Sequence, residues 1–221
     1  MSMIFERATE RPDEAILRQA GDVEERLRAA LRDMESGNRD GLLAWKARDE
    51  EIDAREVQIE EECLKLLALH QPVARDLRFV IAVLKINNDL ERIGDIVVNI
   101  AERGARLAAF PMSDLQQTLG RMGLLVCAML KDSLDALIAR NVAQARDVIA
   151  RDEAVDALNA QVIARVIDRA TQENAGARVE ALILIHGVAR DLERVGDHAT
   201  NIAEDVAYLA DGTIIRHAHA P

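Results

Sequence analysis

Four pairs of acidic residues, each spaced four apart, are the side chains in this chain best suited to chemistry. They are Asp49 with Asp53, Glu91 with Asp95, Asp152 with Asp156, and Glu193 with Asp197. Side chains four apart on a helix are neighbours, about 6 Å apart at their bases, so each pair presents two carboxylates side by side. Carboxylates gathered from two helices repel one another and are costly to strip of water. Two things relieve that repulsion: arginine counter-charge, or a multivalent cation shared among the acids. Arg92 and Arg194 adjoin the acids in sequence, but one position along a helix is turned by about 100°, which favours the cation. All-oxygen ligation suits hard ions such as Mg, Ca, Mn or ferric iron, and Zn accepts carboxylates too.

The acids belong to a repeat. The stretch Asp89-Leu90-Glu91-Arg92-Ile93-Gly94-Asp95-Ile96-Val97-Val98-Asn99-Ile100-Ala101-Glu102 returns as Asp191-Leu192-Glu193-Arg194-Val195-Gly196-Asp197-His198-Ala199-Thr200-Asn201-Ile202-Ala203-Glu204. Ten of fourteen positions are identical at an offset of 102, and every acid is kept. Ala47-Arg48-Asp49-Glu50-Glu51-Ile52-Asp53 likewise matches Ala150-Arg151-Asp152-Glu153-Ala154-Val155-Asp156, now at an offset of 103. A repeat that holds its acids while its aliphatics drift indicates two copies of one charged site.

Helical periodicity with few breaks supplies the elements that must position these acids. Six helices are expected: about Pro12 to Glu35, Asp40 to Leu69, Pro72 to Leu107, Ser113 to Arg140, Asn141 to Thr171, and on to Leu209. Pro72 suits the first turn of the third helix, and Ser113 with Gln116 fits a capping box for the fourth. Short loops between long helices force antiparallel packing. The fold class is therefore all-α, a tandem repeat of two three-helix bundles, residues 1–108 and 109–221, with Ala108 to Met112 as linker and a short C-terminal tail.

Within those helices the acids continue lines of apolar residues at spacings of three and four, which marks a core-facing stripe. The third helix reads Leu77, Ile81, Leu84, Asn88, Glu91, Asp95 and Asn99; the second reads Trp45, Asp49, Ile52, Asp53, Glu56 and Ile59. The fifth reads Val148, Asp152, Val155, Asp156, Asn159 and Val162, and the sixth reads Ile185, Ala189, Glu193, Asp197 and Asn201. Gly94 and Gly196 recur in mid-helix, where glycine costs about 1 kcal/mol relative to alanine, and imply close helix approach or room for an ion. His186 reads as a packed histidine, and His198, opposite Ile96 in the other copy, is not expected to be a ligand.

Composition narrows the function classes. A net charge of −11 argues against a nucleic-acid partner, which needs a basic surface. Cys63 and Cys127 lie in apolar helical context without a CxxC motif and read as buried free thiols in a reducing compartment. No apolar run approaches the roughly 20 residues that span a bilayer, and Met1 to Arg7 lacks a signal-peptide core. A cytoplasmic protein is expected.

The two signature stretches, together with Pro72-Val73-Ala74-Arg75-Asp76-Leu77-Arg78, resemble the PhoU family of bacterial phosphate-signalling regulators. The resemblance runs from the first helix to Tyr208-Leu209. It implies tandem three-helix bundles whose acid-x-x-x-acid motifs hold multinuclear metal clusters of Fe, Zn, Mn or Mg. Carried over by residue, the first site is Asp49, Asp53, Glu91 and Asp95, and the second is Asp152, Asp156, Glu193 and Asp197. Glu56, Asn99, Glu102, Asn201 and Glu204 are further or outer donors. The resemblance also implies an adaptor role that couples the ATPase subunit of the phosphate ABC transporter to a sensor histidine kinase. Such an adaptor restrains uptake and the starvation response when phosphate is plentiful. Long exposed amphipathic helices accommodate a homodimer, the expected assembly.

Glu56 and Glu60 correspond to Asn159 and Ile163, and Asn88 to Arg190, so a more acidic and more metal-rich first site is expected. The competing readings are a metal-free helical adaptor and a carboxylate-bridged metal enzyme. No Glu has His three residues later, and no P-loop occurs, which weighs against the ferritin-like version and against ATP or GTP chemistry.

Overall fold

The computed structural model describes residues 3–45, 50–110, 113–171 and 178–212; the side chains of residues 3–11, Glu50 and Ser113 are not among those described. Every element there is a helix. In order they are α1 (Met3–Ser36), α2 (Arg39–Ala44), α3 (Glu50–His70), α4 (Arg75–Leu107), α5 (Ser113–Ala139), α6 (Val142–Ile149), α7 (Asp152–Ala170) and α8 (Val179–Asp211). α1 to α4 pack as one bundle and α5 to α8 as the second, so each bundle has three helical rods, the second of them described as two helices.

That division differs from the expected six helices. Pro12 lies inside α1 rather than at its start, and α4 begins at Arg75, three residues past Pro72. In the second bundle the second rod is broken just ahead of its acids. α6 stops at Ile149, a turn at Ala150-Arg151 follows, and α7 opens on Asp152. No Pro or Gly marks this turn, which is why periodicity alone runs through it. The break places Asp152 in the first turn of α7, where the helix dipole favours a negative charge. Arg151 ties the turn to α5 through Asp132 at 2.6 Å.

The rods start in the same way in both repeats. Gly37 and Arg140 adopt left-handed φ values of +67° and +49°, and each is followed by an asparagine that caps the next helix. Asn38 accepts from the Gly41 amide, and Asn141 from those of Ala143 and Gln144. Each cap satisfies amides that a helix start leaves open. The repeat therefore extends to these turns. The capping residues fitted to Ser113 lie partly outside the described side chains.

α4 and α8 form the largest helix pair and carry the middle of a core shared by both bundles. Val80, Val83, Ile86, Leu90, Ile93 and Val97 of α4 are fully buried, as are Ile185, Val188, Leu192, Val195 and Ile202 of α8. Burying such a side chain contributes roughly 1.5–3 kcal/mol. The line expected to be buried on α4 is not this one. Leu77 is 40% exposed, Ile81 and Leu84 are half-buried, and Asn88 is exposed. α4 is packed on several sides, so its buried face is wide and the acid line runs along its margin. His186 is also exposed, contrary to its reading as a packed residue.

Both cysteines are buried free thiols, as expected. Burial pushes Cys63 up to about 12 and Cys127 up to about 11, far from the thiolate form that reacts. No described helix is long and apolar enough to cross a membrane.

Candidate metal centres and the seam between the repeats

Helix approach sets the geometry of each acidic site. A Cβ on Gly94 would meet Ile52 Cδ1 at 3.1 Å, and one on Gly196 would meet Val155 Cγ1 at 3.4 Å. Ile52 and Val155 occupy the same repeat position, so both glycines let the acid-bearing rods close to contact. Just beside these contacts the carboxylates of α3 and α4, and of α7 and α8, face one another at the margin of the core.

In the first bundle Asp53, Glu91 and Asp95 each offer an oxygen, all within 4.8 Å of one another. Oxygen donors lie about 2.0–2.6 Å from a hard cation, so donors of one ion are at most about twice that apart. The trio meets that requirement. Asp49 lies outside the described residues. Glu91 and Asp95 are half-buried and Asp53 is exposed. Burial, then the charge of Asp95, raises the Glu91 carboxyl, and Arg92 opposes the shift. Glu56, one turn from Asp53, is raised by burial and then by Glu60 and Asp53.

Arg92 supplies part of the arginine counter-charge that the sequence left as the alternative to a cation. Its guanidinium curls back along the helix, with Nε 3.3 Å from Glu91 and Nη1 3.7 Å from Asp95. The long side chain spans the angular gap of one helix position. Arg194, its counterpart, holds no ion pair among the described residues.

The second quartet is built differently. Thr200 donates to Asp152 at 3.5 Å, where the first repeat has Val98. Burial and then Asp156 raise Asp152. Asp197 is open to solvent on one side, yet lost hydration on the other, then Glu193, Asp152 and Asp156, pushes its carboxyl up to about 6. No three oxygens of this quartet come as close together as those of the first trio among the described residues.

The other residues named from the sequence lie around these groups. Asn99 turns its amide to the Asp95 backbone carbonyl at 3.1 Å. Glu102 and Glu204 sit seven residues beyond Asp95 and Asp197, roughly 10 Å along their helices. Asn201 instead reaches α4, donating to Asp89 at 3.4 Å.

Asp89 and Asp191 are the residues that sequence reasoning missed. Both open the repeated signature, and neither faces the acids that follow. Asp89 accepts from His198 Nδ1 at 2.7 Å, and Asp191, buried on α8, pairs with Arg103 of α4. Lys85 reaches the buried Asp205 at 3.2 Å, and Arg106 reaches Glu180 at 2.6 Å. The partners descend along α8 as they climb along α4, so the two helices run antiparallel about a local pseudo-twofold axis. The signal was present in the repeat: two acids kept in both copies but off the line of the others.

Known proteins place the chain. The PhoU domain model matches it twice, over residues 16–104 and 119–206. A phosphate-specific transport system accessory protein PhoU homolog of Deinococcus radiodurans is 38% identical over 197 residues, covering 89% of this chain and 92% of that one. Its counterpart in Caulobacter vibrioides is 42% identical over 178 residues, covering 79% and 76%. Among solved structures, PhoU from Pseudomonas aeruginosa superposes with a TM-score of 0.90 at 30% identity, covering 95% of this chain and all of that one (100%). The phosphate transport system regulatory protein PhoU from Streptococcus pneumoniae gives 0.87 at 27% identity, covering 95% and 98%. With two matching domains, one in each helical bundle, and relatives alike over most of their length, this chain belongs to the PhoU family.

Proposed function

We propose that this protein is a cytoplasmic, metal-binding regulator of phosphate homeostasis and not an enzyme. It couples the ATPase subunit of a phosphate ABC transporter to a sensor histidine kinase, and it restrains uptake and the starvation response when phosphate is plentiful. The observation that carries the reading is the pair of PhoU domains, in a chain whose relatives are named as accessory proteins of phosphate-specific transport. Asp49, Asp53, Glu91 and Asp95 hold the first metal cluster, and Asp152, Asp156, Glu193 and Asp197 the second. The bound ions supply the positive charge that the crowded carboxylates lack. The ions thereby fix the rods of each bundle and the acidic face that the protein, as a homodimer, turns to its partners.

A metal-free adaptor is the second reading, favoured by Arg92 resting on Glu91 and Asp95. Both readings share a cellular test. Deleting the gene in its host should raise phosphate uptake and switch on a starvation reporter in phosphate-rich medium. The parent gene should reverse this, and an Asp53→Asn/Glu91→Gln/Asp95→Asn gene should not if metal is required. Unchanged uptake and reporter in the deletion strain would remove the regulatory role.

A further inference from the structure

Near the first acidic centre, the core of the first bundle contains a buried polar chain. Gln19 of α1 is fully buried, and its amide donates to Asn87 Oδ1 at 3.1 Å. Asn87 of α4 is 1% exposed and donates in turn to the backbone carbonyl of Glu56 on α3 at 2.9 Å. Gln19 Oε1 has no partner among the described residues, so the chain is not optimised for stability. Apolar residues of similar size would pack there without leaving an unsatisfied oxygen.

What the chain supplies is register. Asn87 lies one turn before Glu91, and Glu56 one turn after Asp53. The Asn87–Glu56 bond therefore fixes α3 against α4 on one side of the carboxylates, and the Gly94–Ile52 contact fixes them at the level of the carboxylates themselves. The second bundle keeps only the latter device, as Gly196 against Val155. Ala189 stands where Asn87 would, and Asn159 stands where Glu56 would, its Oδ1 buried without a partner among the described residues. A single buried polar contact that sets helix register at some expense of stability is a known use of such groups.

We propose that Asn87, held by Gln19, is a positioning residue for the first acidic centre, setting the α3–α4 register that brings Asp53, Glu91 and Asp95 within reach of one ion, and that the second centre lacks this device. The proposal rests on the reading of that centre as a metal site. It predicts that ion affinity at the two centres responds differently to the same distant change.

The test uses Gln19→Leu/Asn87→Leu, which removes both polar partners together and so keeps the fold. It is placed in one protein with only the first centre (Asp152→Asn/Asp156→Asn/Glu193→Gln/Asp197→Asn) and in one with only the second (Asp49→Asn/Asp53→Asn/Glu91→Gln/Asp95→Asn). Mn(II) affinity should fall about tenfold or more in the first, the scale of an outer-shell loss, and stay unchanged in the second. Without metal, amide exchange in the Glu56–Glu60 turn should quicken. An equal loss at both centres would mean a general loosening and would overturn the proposal. Quickened exchange with undiminished Mn(II) affinity would overturn it while leaving the metal reading intact. Absence of Mn(II) binding in the first-centre parent would remove the metal reading and this proposal with it.

Discussion

Arg103→Met should destabilise the protein by about 3 kcal/mol, the lower end of the range for breaking a buried ion pair. Asp191 has 6% of its side chain exposed, and Arg103, the nearest cation, crosses from α4 to meet it with its own side chain 35% exposed. Removing the guanidinium leaves the carboxylate dry and without its ion-pair partner. Burial already raises Asp191 against the pull of Arg103, Arg194 and Arg190, so the stranded acid takes up a proton, which limits the loss. The arginine also lies over Gly187, where a Cβ would come within 2.8 Å of its Nε. Urea unfolding of Arg103→Met, of Arg103→Met/Asp191→Leu and of Arg106→Ala checks this. The double variant should regain most of the loss, because replacing both partners removes the stranded charge. Arg106→Ala should cost under about 1 kcal/mol, because its pair with Glu180 is solvent-exposed. A loss below that level for Arg103→Met would mean that the seam does not hold the bundles together.

The second large effect is on stability against pH and metal. Asp197, Asp152, Glu91 and Glu56 all have carboxyls raised in the folded protein, Asp197 to about 6. Ordinary values are roughly 3.9 for Asp and 4.3 for Glu. A raised folded pKa means that the native state binds more protons, so this contribution to stability falls as pH rises from the ordinary value through the raised one. Metal-free protein should therefore gain stability from these groups as pH drops from about 7.5 towards 5. Saturating metal reverses the trend. At 1,000 times its Kd, each ion adds about 4 kcal/mol, and protons compete for its ligands as pH falls. Thermal unfolding at both pH values, in EDTA and in Mn(II), checks the crossing. Curves that Mn(II) does not move would contradict the metal reading.

The parts of this account legible in the sequence are those that a single helix can report. Spacing put Glu91 beside Asp95 and Glu193 beside Asp197, and the repeat doubled the site. Gly94 and Gly196 marked close approach, and the structure finds Ile52 and Val155 there. The illegible parts depend on more than one helix. Periodicity says that a face is covered, not which neighbour covers it, so it does not tell that Asp89 and Asp191, off the acid line, face the opposite repeat. The turn at Ala150-Arg151 has no breaker residue because α5, through Asp132, anchors it from outside. The reach of Arg92 back to Glu91 and Asp95 belongs to a flexible side chain rather than to helix geometry.

The most direct test of the central claim is metal content by elemental analysis of the untagged protein, beside Glu91→Ala/Asp95→Ala/Glu193→Ala/Asp197→Ala. The parent should carry several equivalents of Fe, Zn, Mn or Mg, lost in a variant that stays helical. Metal-free parent protein, even after incubation with those ions, would contradict that claim and leave an adaptor whose acids are balanced by arginine.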